Sequence, residues 1–242
     1  QSARVSEDTL LGCDVDIAKS IVKVVGKSGA AVTTEIATDS SSAFTAFTAG
    51  VQQLNVAAGD LSYSRPEAYL EGLKWFEKAV QSDPEFLAAY IGAGWCASAS
   101  GQIRSDRESI RRAVALFEKA KKREKDNSLV QICLVYNRIV FGEVDLGIRD
   151  IRAAMSLDEN LAEANCFLGY GLHRLGKLSD AEACFRRELV SSPNAPELHN
   201  CLGHVLSDMG NVVDAQKEFL QAIEIAPDFA DAHANMGVCC FN

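Results

Sequence analysis

Apolar and small residues recur at helical spacing through most of this chain. In residues 163–176 these positions are Ala164, Phe167, Leu168, Gly171, Leu172 and Leu175. A spacing of three to four residues places them on one face of an α-helix. Gly176 follows the last of them, and glycine is typical of the position just beyond a helix end. The pattern therefore predicts a helix that ends at about Gly176.

A second helical stripe follows after a short polar turn. Ser179 or Asp180 can cap the start of this helix, and Pro193 stops it because proline lacks the N–H that a helix interior needs. The apolar positions between them are Ala181, Cys184, Phe185 and Leu189. Since one hairpin of two short helices cannot bury its apolar face alone, we expect it to stack on neighbours.

The hairpin pattern returns with a period of 34 residues. The residues that recur at this interval are Gly169, Gly203 and Gly237, Ala181 and Ala215, Phe185 and Phe219, and Pro193 and Pro227. A fixed period of this size indicates an array of structural repeats. We expect Gly169 and Ala181 to be small because the two helices of a hairpin cross there, and Phe185 to fill the gap to the next hairpin.

These units resemble tetratricopeptide repeats (TPRs). That family's pattern has a small residue at position 8, alanine at 20, an aromatic at 24, alanine at 27 and proline at 32. One unit matches with Gly169, Ala181, Phe185 and Pro193 and departs at position 27, where it has Glu188. The next unit matches with Gly203, Ala215, Phe219, Ala222 and Pro227. The resemblance implies an all-α fold, a right-handed α-solenoid of stacked helix-turn-helix hairpins.

The register divides the chain into an N-terminal extension and a repeat array. We predict repeats at about residues 43–86, 87–127, 128–161, 162–195 and 196–229, and a partial repeat at 230–242. In repeat two, counted from its first helix, Ala113 and Phe117 stand seven residues after the positions that the 34-residue pattern gives for this alanine and this aromatic. We therefore expect the turn or the start of the second helix to be longer in this repeat. Residues 1–42 are predicted to contain one short helix, or a strand because of β-branched residues, and a linker.

Composition narrows the possible partners. The net charge is −9 over 242 residues, which argues against nucleic-acid binding because phosphate contacts need a basic surface. No apolar run reaches the length needed to cross a membrane. The chain begins at Gln1, so we interpret it as a fragment or a processed form.

The eight cysteines form no CxxC pair and no zinc-ligand spacing. We expect them to be small buried apolar residues in a reducing compartment, which favours a cytoplasmic location. A redox switch at Cys239 and Cys240 is the alternative. Neighbouring side chains on a helix diverge by about 100°, which disfavours a disulfide between them.

No catalytic pattern is present in the sequence. It has no phosphate-binding GxxxxGK[ST], no GxSxG, no HExxH, and no GxGxxG that follows a strand. The four histidines occupy first helices of the last three repeats without metal-binding spacing. We therefore expect no catalytic residue, no metal site and no cofactor.

The TPR resemblance also implies a binding surface, because first helices in that family line a concave groove through positions 2, 5, 9, 12 and 13. The groove residues carried over in this way are Ile91, Trp95, Ile132, Tyr136, Cys166, Tyr170, His173, Arg174, Asn200 and His204. The groove is then apolar and aromatic in its N-terminal half and polar to acidic in its C-terminal half. For Trp95 and Tyr136, packing against neighbouring helices is an equally open interpretation.

The favoured function is a non-enzymatic scaffold that binds a peptide or partner helix in the groove. One alternative is self-association through an apolar C-terminal edge formed by Met236, Val238, Cys239, Cys240 and Phe241. Another is the regulatory module of a larger signalling enzyme. Residues 14–25 and the linker after them loosely resemble the junction before TPR arrays in bacterial multidomain signalling proteins.

Overall fold

The computed structural model describes residues 38–58, 66–158, 161 and 163–241, which form eleven helices and no strand. The described residues fall into two compact units, residues 38–147 and residues 148–241. The predicted all-α helical-repeat class is confirmed. The short helix or strand that the sequence predicts at residues 14–25 lies outside the described residues.

The first unit consists of five helices and the start of a sixth. These are α1 (Ser41–Ala58), α2 (Pro66–Ser82), α3 (Leu87–Ile103), α4 (Arg107–Arg123), α5 (Ser128–Phe141) and the first residues of α6 (Val144–Leu157). Helices α1 and α2 pack as one hairpin, and α3 and α4 pack as the next. A cluster of three buried rings joins the two hairpins. Phe47 contacts Phe76 at a centroid distance of 5.6 Å and Phe86 at 4.8 Å.

Repeat two is longer than the fifth repeat because its helices are longer. Helices α3 and α4 have 17 residues each, whereas the matching helices of the fifth repeat, residues 196–208 and 212–225, have 13 and 14. The turn of repeat two, residues 104–106, has the same length as residues 209–211 in the fifth repeat. The seven extra residues thus add about one turn to each helix, which keeps the faces in register. The turn itself is not lengthened, which corrects one of the two expectations.

The second unit contains the rest of α6, α7 (Ala164–Arg174), α8 (Leu178–Ser191), α9 (Pro196–Asp208), α10 (Val212–Ile225) and α11 (Ala230–Phe241). Helices α7 and α8 form one hairpin, α9 and α10 form another, and α11 packs on α10. Phe185 and Phe219, both 1% exposed, fill the crossings of the two hairpins. The core of this unit follows the 34-residue pattern closely.

The helix ends of this unit follow the sequence signals in part. Helix α7 ends at Arg174, and Gly176 adopts a positive φ of 72° while its N–H donates to the carbonyl of His173. Glycine tolerates that conformation without steric cost. Helix α8 begins at Leu178, and its N-cap residue Lys177 makes no side-chain cap bond. The predicted caps Ser179 and Asp180 therefore lie inside the helix.

The cysteines whose side chains are described are thiols that form no disulfide. Four of them are buried, namely Cys96, Cys133, Cys166 and Cys239, whereas Cys184 and Cys201 are half-buried. Burial raises the pKa of the Cys96 thiol far above its usual range. The Cys239 thiol faces the Val212 carbonyl at 3.7 Å. None of the described helices combines the length and the apolarity that crossing a membrane requires.

Candidate partner-binding surface

The four groove residues predicted in the first unit are part of its core. Ile91 and Trp95 are each 2% exposed, and Ile132 and Tyr136 are 7% and 0% exposed. Every residue of α3 from 88 to 101 is buried, so this helix has no face open to a ligand. For Trp95 and Tyr136, the structure favours the packing interpretation over the binding one.

A buried polar contact explains how Tyr136 fits into this core. Its hydroxyl donates to the Gln102 side-chain oxygen at 2.8 Å, and the Gln102 amide donates to the Ser98 hydroxyl at 3.1 Å. A buried hydroxyl without a partner costs about 1–3 kcal/mol, so this short chain of bonds permits burial of the tyrosine. Gln102 lies in the last turn of the lengthened α3.

The groove residues predicted in the second unit are partly accessible. Tyr170 and His173 are half-buried and Arg174 is exposed, whereas Cys166, Asn200 and His204 are buried. The His173 Nε2 lies 2.7 Å from an Asp208 carboxylate oxygen, and Arg174 donates to the Tyr170 hydroxyl at 3.5 Å. Helices α7 and α9 carry these groups within about one turn of their C-termini. The accessible part of the predicted surface is therefore polar and lies in the second unit.

Two asparagines link helix α9 to helix α11. The Asn235 amide of α11 donates to the Asn200 side-chain oxygen of α9 at 2.9 Å. Asn200 is only 2% exposed, so this bond satisfies an amide that would otherwise be buried without a partner. The pair acts in packing and fixes α11 against α9.

His204 is a buried histidine at the centre of this polar group. It is 8% exposed, and its ring meets the Phe219 ring edge-on at 5.6 Å. Burial, followed by the nearby charge of His173, lowers the pKa of His204 to about 4, although Asp208 and the bond to Asn235 act in the opposite direction. At neutral pH the imidazole is uncharged, and its buried Nε2 has no hydrogen-bond partner among the described residues.

Three glutamates line a small pocket between the N-termini of α7 and α9 and the C-terminus of α8. The lining residues are Glu163, Cys166, Phe167, Glu188, Ser192, Ala195, Glu197 and Leu198. The carboxylate of Glu188 is buried and accepts the backbone N–H of Glu163 at 3.2 Å. Glu163 itself adopts a left-handed conformation with a φ of 62°. The pocket combines an apolar floor with negative charge.

Glu188 was not among the residues selected from the sequence, although its signal was present. The corresponding residue of the next repeat is Ala222, which is 0% exposed. A glutamate in a position that alanine normally fills is a departure with a structural cost, because a buried carboxylate needs partners. That departure was visible in the repeat alignment and marks the site of the pocket.

The two remaining histidines have matching structural roles. The Nε2 atoms of His199 and His233 lie 3.0 Å and 2.8 Å from the carbonyls of Pro193 and Pro227. His199 also lies 2.7 Å from a Glu218 oxygen. Across the described part of the chain, no cluster of three or more histidine, cysteine or acidic side chains is arranged to hold a metal ion.

Comparison with known proteins adds the family context. The family model described as "Tetratricopeptide repeat" matches residues 196–229. No curated protein matches the sequence. The structure is similar to TTC0263, a thermophilic TPR protein of Thermus thermophilus, with a TM-score of 0.65 and 18% identity over 83% of this chain and 100% of that one.

Two further solved structures show the same fold at low identity. One is YrrB, described as a TPR protein with an unusual peptide-binding site, with a TM-score of 0.50 and 21% identity over 90% of this chain and 98% of that one. The other is the human IFIT1 dimer with PPP-AAAA, with a TM-score of 0.63 and 18% identity over 79% of this chain and 45% of that one. At these identities the likeness establishes the fold alone.

Proposed function

Because the chain is a tetratricopeptide-repeat protein, we propose that it is a non-enzymatic scaffold that binds a basic segment of a partner protein. The binding surface is the groove face of the first helices in the second unit, α7, α9 and α11. The observation that carries the proposal is the combination of accessible aromatic and carboxylate side chains on these helices. In the first unit, the side chains at the equivalent repeat positions are buried in the core.

The charge on this surface decides the class of partner. Its accessible or half-buried charged groups are four carboxylates, those of Glu163, Glu197, Asp208 and Asp231, against the single guanidinium of Arg174. Opposite charge on a partner increases the association rate and suppresses wrong partners. A segment rich in lysine or arginine is therefore the complementary ligand.

The glutamate pocket supplies a place for one basic side chain. An arginine or lysine has an apolar stem, which can lie against Phe167 and Leu198, and a cationic head, which can reach the carboxylates. Tyr170, which lies three residues after Phe167 in α7, supplies an aromatic anchor for the same segment. Aromatic anchors of this kind commonly dominate binding energies.

A peptide selection tests the proposal without knowledge of the natural partner. The full chain is immobilised and used to select peptides from a random displayed library, and the affinity of the selected peptides is measured by fluorescence anisotropy. We expect enrichment of lysine and arginine, and a Tyr170→Ala variant that binds at least about tenfold more weakly, as truncation of a hot-spot aromatic does. Glu197→Gln should weaken binding and reduce its salt dependence.

A matched control replaces an acid on the other face of the same unit. Glu224 is exposed on α10, where its carboxylate accepts a hydrogen bond from the Gln221 amide. Glu224→Gln changes the net charge by the same amount as Glu197→Gln but lies away from the groove face. Selected peptides without basic enrichment, or equal losses in the two charge variants, would contradict the proposal.

A further inference from the structure

Glu188 is a buried carboxylate without a cationic partner. The residue is 8% exposed, and its Oε1 atom accepts the backbone N–H of Glu163 at 3.2 Å. Among the described residues this is its only hydrogen bond, and no lysine, arginine or histidine there forms an ion pair with it. Buried charges in proteins are normally paired, because an ion is unfavourable away from water. A cation supplied by a partner would complete this site.

The pocket around Glu188 brings two further carboxylates to the same cavity. Glu188 lies in the last turn of α8, Glu163 is the N-cap residue of α7, and Glu197 lies in the first turn of α9. Three helices thus place acidic residues around one cavity. Like charges repel more strongly in a partly buried cavity than in water, so the arrangement is unfavourable in the free protein.

The fold does not require an acid at this position. The residue that corresponds to Glu188 in the next repeat is Ala222, which is 0% exposed. An alanine therefore satisfies the packing of two helices here, and the carboxylate adds a charge that packing does not use. Departures from the packing pattern that reduce stability are expected at functional sites.

The rest of the pocket is mostly apolar and small. Its apolar lining residues are Cys166, Phe167, Ala195 and Leu198. The cavity has a volume of about 100 Å³, and an apolar cavity of about 150 Å³ can hold a benzene molecule. The pocket therefore has room for one small planar group, with carboxylates at its boundary.

We propose that this pocket binds the guanidinium group of an arginine side chain and discriminates arginine from lysine. This inference rests on the proposed function, because it names the side chain that the groove face recognises within a basic segment. A guanidinium is planar and carries five N–H donors in fixed directions. One such group can donate to the second oxygen of Glu188 and to the carboxylates of the neighbouring helices.

A lysine side chain fits this pocket less well than arginine for two reasons. Its ammonium group is compact and strongly hydrated, whereas a guanidinium is more weakly hydrated and loses less on entering a mostly apolar cavity. A desolvated ammonium also loses its proton more readily, whereas a guanidinium keeps its charge in proteins. The pocket should therefore select arginine and not positive charge in general.

Three small probes test the pocket without a selected peptide. They are the N-acetyl methylamides of arginine, of lysine and of citrulline, which is a neutral isostere of arginine. The full chain, isotopically labelled for NMR, is titrated with each probe, and the backbone amide of Glu163 reports on the pocket because it bonds to Glu188. We expect a saturable shift of this amide with arginine at a Kd of about 1 mM. Lysine should bind at least about tenfold more weakly, and citrulline should give no saturable shift.

Glu188→Gln is the decisive variant. The amide oxygen still accepts the Glu163 N–H, but the negative charge is removed. We expect the arginine probe to bind this variant at least about tenfold more weakly. Its free energy of unfolding at neutral pH should be at least that of the wild type, because a buried charge without a cation has been removed. Glu188→Ala, which introduces the residue of the next repeat, is a second variant that should fold and lose the preference for arginine.

A matched control changes an exposed acid outside the pocket. Glu224→Gln removes one negative charge from α10 and should bind the arginine probe as the wild type does. The inference is overturned if arginine causes no saturable shift at Glu163, if lysine binds equally well, or if Glu188→Gln binds arginine unchanged. A Glu188→Gln chain that is clearly less stable than the wild type would also overturn it, because the carboxylate would then already have its cation in the free protein.

This test and the peptide selection fail separately. The selection responds to the whole groove face, whereas the probes respond to the pocket alone. Basic peptides selected without a preference for arginine, together with equal binding of the arginine and lysine probes, would contradict the inference and leave the proposed function standing. Selected peptides that lack basic residues would contradict the proposed function, whatever the probes show.

Discussion

Trp95 and His204 occupy the same position within their repeats but have different surroundings. Trp95 lies in α3 of the first unit, where residues 88 to 101 are all buried. His204 lies in α9 of the second unit beside half-buried and exposed polar groups, including His173 and Asp208. The repeat position alone does not decide whether a side chain packs or faces a ligand. What decides is how much neighbouring structure covers its helix.

The largest expected loss of stability comes from removing the buried side chain of Trp95. Trp95→Ala deletes a side chain that is 2% exposed, and such deletions cost about 3–5 kcal/mol. Tyr170→Ala, at the same repeat position in α7, removes a half-buried ring and should cost clearly less. Urea denaturation followed by circular dichroism measures both free energies of unfolding.

The order of the two variants should be reversed in peptide binding, where Tyr170→Ala should have the larger effect. We expect Tyr170→Ala to lose binding of the selected basic peptides, while Trp95→Ala retains it at temperatures where the chain is folded. Equal stability losses in the two variants would show that the two positions do not differ as their burial indicates. The coincidence of several spectroscopic probes is needed because repeat arrays can unfold in steps.

The sequence was sufficient to predict the positions of the repeats, because those positions are set by packing within each hairpin. Gly203, Ala215 and Phe219 are each defined by the crossing of two helices in one hairpin, so their spacing predicts their burial. The fate of Trp95 depended on the length of α3 and on the elements around it, which the spacing does not encode. Whether Gly237 is covered likewise depends on contacts outside its own helix. Its position in the repeat, which is the same as that of Gly203, therefore does not predict whether it is covered.

His204 makes the free energy of unfolding depend on pH. Burial lowers the pKa of this group to about 4 from its ordinary value of 6.5. The unfolded chain therefore takes up the proton first as the pH falls, so stability is complete above about pH 6.5 and is lost between pH 6.5 and pH 4. The expected loss from this one group is about 3 kcal/mol.

Replacement of the imidazole isolates this contribution. His204→Phe keeps an aromatic ring against Phe219 and removes the titrating group, so its stability should fall less steeply than that of the wild type below pH 6.5. His233→Gln, which alters an exposed histidine of α11, should retain the slope that His204 contributes. Urea midpoints measured at half-unit intervals of pH compare the three chains, and parallel profiles for wild type and His204→Phe would refute the assignment.

The third prediction compares the two glycines that share a repeat position within the second unit. Gly203→Ala places a methyl group 2.6 Å from the Phe219 ring, and such overpacking costs about 1–3 kcal/mol. Gly237→Ala meets no described neighbour and should be neutral or stabilising by up to about 1 kcal/mol. Thermal unfolding of the two variants gives opposite shifts in Tm, and a large destabilisation by Gly237→Ala would show that α11 is covered in the free protein.

The smallest expected effect comes from removing a single oxygen atom from each unit. Tyr136→Phe deletes the hydroxyl that donates to Gln102 at 2.8 Å, and a bond of this kind contributes about 0.5–1.5 kcal/mol to stability. Tyr170→Phe deletes a hydroxyl on the groove face, whose Arg174 contact is long at 3.5 Å. We expect the first change to lower the urea midpoint without affecting peptide affinity, and the second to lower the midpoint by no more than the first, since Tyr170 is half-buried. If Tyr136→Phe instead weakened peptide binding at unchanged stability, the first unit would take part in recognition despite its burial.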